Sequence, residues 1–184
     1  MIRQLRTAIL ITLMLTILTG LVYPLSVTLM AQLLFPHQAN GSLVKTKDKI
    51  IGSKLIGQNF TEAKYFHPRP SESNYDSVKS GGSNLGPTNK KLIKRINETL
   101  ENLRKENSTS NIPVDLITTS ASGLDPHISP EAARFQVQRI AELRKIPKQK
   151  LIQLIDENTE QKFLGIFGEP RVNVFVLNLA LDEL

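Results

Sequence analysis

Thr7 to Phe35, TAILITLMLTILTGLVYPLSVTLMAQLLF, contains no Asp, Glu, Lys or Arg. A bilayer's hydrocarbon core is about 30 Å thick and is crossed by roughly 20 apolar residues in a helix, so this stretch is long enough to span it. Whatever follows must then fold on one side of a membrane. Arg3 and Arg6 precede the run and the first charge after it is Lys45, so the positive-inside rule places the N-terminus in the cytoplasm and the chain from Asn40 onward outside. A cleaved signal peptide is the competing reading, but its apolar core would run only about 7–15 residues. No small-x-small cleavage site follows either, Thr28 to Ala31 being the nearest approximation, with Leu29 misplaced. The expected domains are a transmembrane anchor over 1–36 and one extracytoplasmic domain over 37–184.

Gly20 and Tyr23-Pro24 punctuate the span, where a proline removes a backbone donor. Thr12, Thr16, Thr19, Gly20 and Ser26 recur along it. Such residues let a second helix approach closely, or else their hydroxyls bond back to their own carbonyls. With no ionisable group inside the span, nothing in it suggests an ion path through this helix.

The rest of the chain is about the size of one domain. Lys plus Arg number 23 and Asp plus Glu 17, and Arg3 and Arg6 account for two of the cations, so the outer part is only mildly basic. Lys90, Lys91, Lys94 and Arg95 are followed by Glu98, Glu101 and Glu106 at helical spacing, as on a solvated helix face, which with the missing aromatic interleaving argues against nucleic-acid binding. Cysteine is absent, excluding disulfides and thiolate metal sites, and His37, His67 and His127 lack second ligands at metal-binding spacings.

In chain order, Ser42–Thr46 and Ile50–Leu55 read as a hairpin about Lys47-Asp48-Lys49, Gln58–Tyr65 as a short helix, and Phe66–Ser73 as irregular because of Pro68 and Pro70. Lys79–Pro87 is glycine-rich and leads to a helix over Thr88–Glu106, whose Leu92, Ile93, Ile96, Leu100 and Leu103 share a face. Ser80, Gly81, Gly82, Ser83 and Asn84 therefore form the candidate anion site, with a tight structural turn as the alternative. The Lys and Ser/Thr that complete a P-loop are missing.

Asn107–Asn111 reads as a polar loop and Ile112–Thr119 as a buried strand. Ser122, Asp125 and His127 invite a hydrolase reading, but G-x-S-x-G is absent and groups so close in sequence rarely converge. The alternative is that Asp125 and His127 brace a loop delivering Ser129, Pro130 and Glu131 as the N-cap, first position and dipole partner of a helix over Pro130–Lys145. Helix Pro147–Asn158 and a central strand over Val172–Leu181 complete an α+β expectation.

These passages resemble the C subunit family of the Kdp potassium-transporting ATPase. The likeness is carried by Tyr23-Pro24-Leu25, Phe35-Pro36, Ala39 to Leu43, Gly52 to Gln58, Tyr65-Phe66, Arg69-Pro70-Ser71, Gly82 to Pro87, Ser122 to Pro130 and Gly168 to Val174. The resemblance implies a single-pass plasma-membrane protein that accompanies a channel-like potassium-binding subunit, a P-type ATPase subunit and a small membrane subunit. It implies no phosphorylated aspartate here, since D-K-T-G-T is absent. It also implies a catalytic chaperone that raises the ATPase subunit's affinity for ATP through a glycine-rich segment, here Ser80 to Asn84. Topology opposes that last implication, because ATP is cytoplasmic and this segment is expected outside. An assembling, stabilising and non-catalytic role is the expectation. A membrane-anchored hydrolase and a stand-alone periplasmic binding module are the alternatives.

Overall fold

The computed structural model describes residues 1–47, 49–107 and 111–184. Its contacts divide the chain into two compact units, 1–53 and 54–184.

In the first unit, helix α1 (Ile2–Ile17), a π-helical turn (Leu18–Val22) and helix α2 (Tyr23–Leu34) form one apolar rod, Ile2–Leu34. Its mean hydropathy reaches 2.2 and none of that stretch is buried by the rest of the chain. The wide turn has a local cause. Pro24 has no N–H to give Gly20 and its ring would press on that carbonyl, and a π turn relaxes the ladder there. Tyr23 N–H accordingly bonds the Leu18 carbonyl. Thr7 and Thr19 hydroxyls donate back to the Arg3 and Leu15 carbonyls, at 3.0 and 2.7 Å.

Phe35 (φ −137°) breaks the rod, and Pro36 opens a further short helix, α3 (Pro36–Ala39). Strands β1 (Leu43–Thr46) and β2 (Lys49–Ser53) then pair antiparallel, with a register shift between Val44 and Lys45. Asp48, expected at the turn, lies outside the described residues. So do 108–110 of the expected polar loop.

The second unit is a mixed helix and strand domain, which with the apolar N-terminal helix makes the chain α+β. Helix α4 (Lys90–Glu106) begins behind Asn89, whose side chain accepts from Lys91 N–H. Strand β3 (His127–Ile128) leads into α5 (Pro130–Phe135) and α6 (Val137–Arg144), followed by α7 (Lys148–Glu157), strands β4 (Thr159–Glu160) and β5 (Arg171–Asn173), and α8 (Val174–Asp182). The sheet is antiparallel, in the order β3-β5-β4. Around it Ile140, Leu151, Ile155, Val172, Val174, Leu177 and Leu181 form the core with Phe66.

Four expectations are corrected. Gln58–Tyr65 is not helical; a turn with Tyr65 N–H on the Glu62 carbonyl takes its place. Ile112–Thr119 contains no strand, because Pro113 cannot donate to a ladder and instead caps a 3-10 turn, Val114–Leu116, that buries Leu116. The helix expected over Pro130–Lys145 is divided at Gln136 and closed by Lys145 in the left-handed region, φ 57°. Finally, Val172–Leu181 is strand only to Asn173. That residue's side chain accepts from Val176 N–H and starts a helix burying Val174, Phe175, Leu177, Asn178 and Leu181. The buried surroundings outweigh the β propensity of Val-Phe-Val.

Candidate functional site

Ser120 to His127 is the segment on which distant parts of the second unit converge. Its backbone receives Gly57 N–H at the Leu124 carbonyl (2.8 Å), Gly81 N–H at Ser122 (2.8 Å) and Val174 N–H at Pro126 (2.9 Å). Ser71 Oγ donates to the Gly123 carbonyl at 2.6 Å. Two glycines are required by close approach. A Cβ on Gly57 would stand 2.7 Å from the Asp125 carbonyl, and Gly123, at φ +69°, would place one 2.7 Å from Ser73 Oγ.

Asp125 is the polar centre. Its Oδ2 meets Arg69 Nη1 at 3.0 Å, and its Oδ1 accepts His127 N–H at 3.0 Å with His127 Nδ1 3.7 Å away. Burial alone would raise the carboxyl's pKa, but the hydrogen bonds from His127 and the Arg69 guanidinium outweigh it and hold the group below its usual value. Tyr75 donates its hydroxyl to the Arg69 carbonyl, and burial pushes its pKa well up. Arg69 borders two cavities. One, of about 380 Å³, is lined by Phe60, His67, Tyr75, Leu103 and Gln136, and the other, of about 350 Å³, by Asp125, His127, Ser129, Glu169 and Arg171.

Asp125 and His127 thus brace their loop by local hydrogen bonds, as expected, and Ser129 caps α5 by accepting from Ala132 N–H at 3.0 Å. Ser122 is engaged elsewhere: its Oγ accepts from Leu124 N–H at 3.1 Å. Among the described residues no hydrogen bond joins it to His127, so the geometry lacks the nucleophile–base pair a hydrolase needs. No group of three or more His, Asp or Glu side chains suited to a metal comes together among the described residues.

The glycine-rich segment packs along this same loop. Ser80 Oγ and Gly81 N–H both donate to the Ser122 carbonyl, and a Cβ on Gly82 would come 3.1 Å from the Ala121 carbonyl. Asn84 is left-handed at φ 51°, and α4 starts only at Lys90, behind its own Asn89 cap. A polyphosphate cradle needs inward-turned N–H groups at a helix start. Gly81 N–H faces the Ser122 carbonyl instead, so that donor is already taken in this fold.

A second polar cluster carries no sequence motif. Gln136, buried in the break between α5 and α6, accepts His67 N–H (2.7 Å) and Arg139 Nη2–H (2.7 Å) and donates to the His67 carbonyl (3.0 Å). Arg139 also bonds the Ala63 and Tyr65 carbonyls and pairs with Glu106 at 2.7 Å. Burial first, and then the Arg139 charge, lower the His67 pKa. The only sequence signal was a glutamine among Phe135, Val137 and Ile140.

Against known families, the model for KdpC, described as the c chain of a K+-transporting ATPase, matches residues 5–183. The potassium-transporting ATPase KdpC subunit of Bradyrhizobium diazoefficiens is 52% identical over 197 residues, covering 100% of this chain and 98% of that protein. Those of Methylobacterium nodulans and Myxococcus xanthus are 50% and 54% identical, covering 100% and 91% of this chain and 98% and 82% of their own lengths. A likeness of this extent, end to end, leaves one assignment: the chain belongs to the KdpC family, the c chain of K+-transporting ATPases.

Proposed function

We propose that the chain is a non-catalytic accessory subunit that assembles and stabilises an ATP-driven potassium uptake complex, with residues 1–36 as its membrane anchor and 37–184 outside the cytoplasm. The observation that carries this reading is the family match over 5–183. It is supported by an apolar rod with no burial inside its own chain, which calls for lipid or a neighbouring helix. The partners are a channel-like potassium-binding subunit, a P-type ATPase subunit and a small membrane subunit. Potassium passes through a neighbour, since the span Thr7 to Phe35 carries no Asp, Glu, Lys or Arg.

The test is complementation. Membranes lacking the chain are expected to lose potassium-dependent ATPase activity and to recover it with the chain carrying Ser122→Ala or His127→Ala. Activity that persists without the chain, or that fails with Ser122→Ala in a folded protein, overturns the reading.

Nucleotide contact at Ser80, Gly81, Gly82, Ser83 and Asn84 is a second proposal. In its favour, a Cβ on Gly81 would meet nothing within 4 Å, so packing accounts for Gly82 against the Ala121 carbonyl but not for Gly81. Photolabelling of the complex with an azido-ATP decides it. Label confined to other subunits removes the proposal, and label on this segment supports it.

A further inference from the structure

Between β4 and β5 the chain turns through Lys162-Phe163-Leu164-Gly165-Ile166-Phe167-Gly168. Phe163, Leu164, Ile166 and Phe167 are 71%, 75%, 75% and 63% exposed. No other stretch of the second unit's described residues groups so many exposed large apolar side chains. Together they present about 500 Å², the size of the largest apolar patch on a typical soluble domain, which is often functional.

The tip is built and not frayed. Phe163 and Phe167 exchange backbone hydrogen bonds at 2.8 and 3.0 Å, Gly165 N–H bonds the Lys162 carbonyl at 3.0 Å, and Leu164 and Gly165 are both left-handed. Lys162 and Glu169 close its base at 3.2 Å. Two aromatic and two aliphatic side chains are therefore held outward in a fixed backbone, an arrangement that lowers the ordering cost of binding.

Charge separates the two apolar surroundings such a tip can enter. Loops that anchor to lipid couple an apolar tip to cations facing anionic headgroups. Here Lys162 is matched by Glu169, and Arg171 by Glu160 at 2.9 Å, so each of the hairpin's own two cations is paired with a carboxylate. A neutral apolar pocket on a protein is the better complement.

We propose that residues 163–167 are a docking knob that inserts into an apolar pocket on another subunit of the transport complex, on the membrane face where this domain lies. The inference rests on the accessory-subunit reading above. At standard interface size, about 800 Å² per partner, the knob would supply more than half of one side and the charged residues around it the rim.

The test uses the full-length chain expressed with its complex. A photo-crosslinking amino acid at Ile166 is expected to join it to another K+-transporting ATPase subunit, identified by mass spectrometry. Phe163→Ser with Phe167→Ser is expected to lower recovery of the detergent-extracted complex at least tenfold, while the variant's own urea midpoint stays unchanged. Crosslinks to lipid, to a second copy or to unrelated proteins, or none, overturn the knob if the tagged chain still co-purifies with ATPase subunits. If it co-purifies with none, the accessory-subunit reading fails and the knob fails with it.

Discussion

Asn178→Leu tests the packing of the second unit at its least replaceable point. Asn178 is 2% exposed on α8, and its amide clasps Phe66, itself 0% exposed, through Phe66 N–H to Oδ1 (2.8 Å) and Nδ2–H to the Phe66 carbonyl (2.9 Å). Leucine keeps the approximate size but orphans both backbone groups. Each orphan costs about 1–3 kcal/mol, so the expected loss is about 4 kcal/mol. That is a large part of a domain stability of about 5–15 kcal/mol, and with m near 2 kcal/mol/M it lowers the urea midpoint by about 2 M. The assay is urea unfolding of the full-length chain in detergent, followed by circular dichroism. Asn178→Asp supplies the control, because a protonated carboxyl still donates and accepts. Burial raises its folded-state pKa, so its deficit relative to the parent chain is expected to be smallest at acidic pH and to grow as pH rises through that value. An unchanged midpoint for Asn178→Leu would refute the reasoning, since two buried unpaired groups cannot be free of cost.

Gly123→Ala adds a Cβ 2.7 Å from Ser73 Oγ and 2.9 Å from the Gly81 carbonyl at φ +69°, and is expected to cost about 2–3 kcal/mol in the same urea assay. Acidification acts through His67, whose lowered folded-state pKa means that the unfolded chain takes up the proton first. Stability is expected to hold above about pH 6.5 and to fall below it, less steeply in His67→Asn, with the Asp125 contribution lost only below about pH 4. Sidedness is checked by Val78→Cys, an exposed position in a chain without cysteine. A membrane-impermeant maleimide should label it in intact spheroplasts and not in sealed inside-out vesicles, and the reverse result would put Ser80 to Asn84 on the ATP side.

Elements whose signals are local are legible in the sequence. Ser129, Pro130 and Glu131 announce α5 because the cap, the first position and the dipole partner lie within three residues. Asp125 bracing His127 is likewise a two-residue event. What escapes depends on distant partners. Val172–Leu181 reads as a strand until Asn178 is seen to meet Phe66, 112 positions away, and Asn173 to cap a helix while its Nδ2–H bonds the Lys54 carbonyl. The Arg69–Asp125 pair spans 56 positions, and Gln136 joins His67 to Arg139 with no motif at all. Glycine spacing at 81–82 suggests an anion cradle, but the same residue type serves close packing, as Gly82 does against the Ala121 carbonyl, and that partner lies about 40 positions away.

The central claim is that this chain works inside a larger membrane complex, and particle mass tests it most directly. After gentle detergent extraction of native membranes, the tagged chain is expected in a particle several times its own 20.6 kDa that contains a P-type ATPase subunit. A lone 20.6 kDa species under conditions that preserve other membrane complexes would contradict the account.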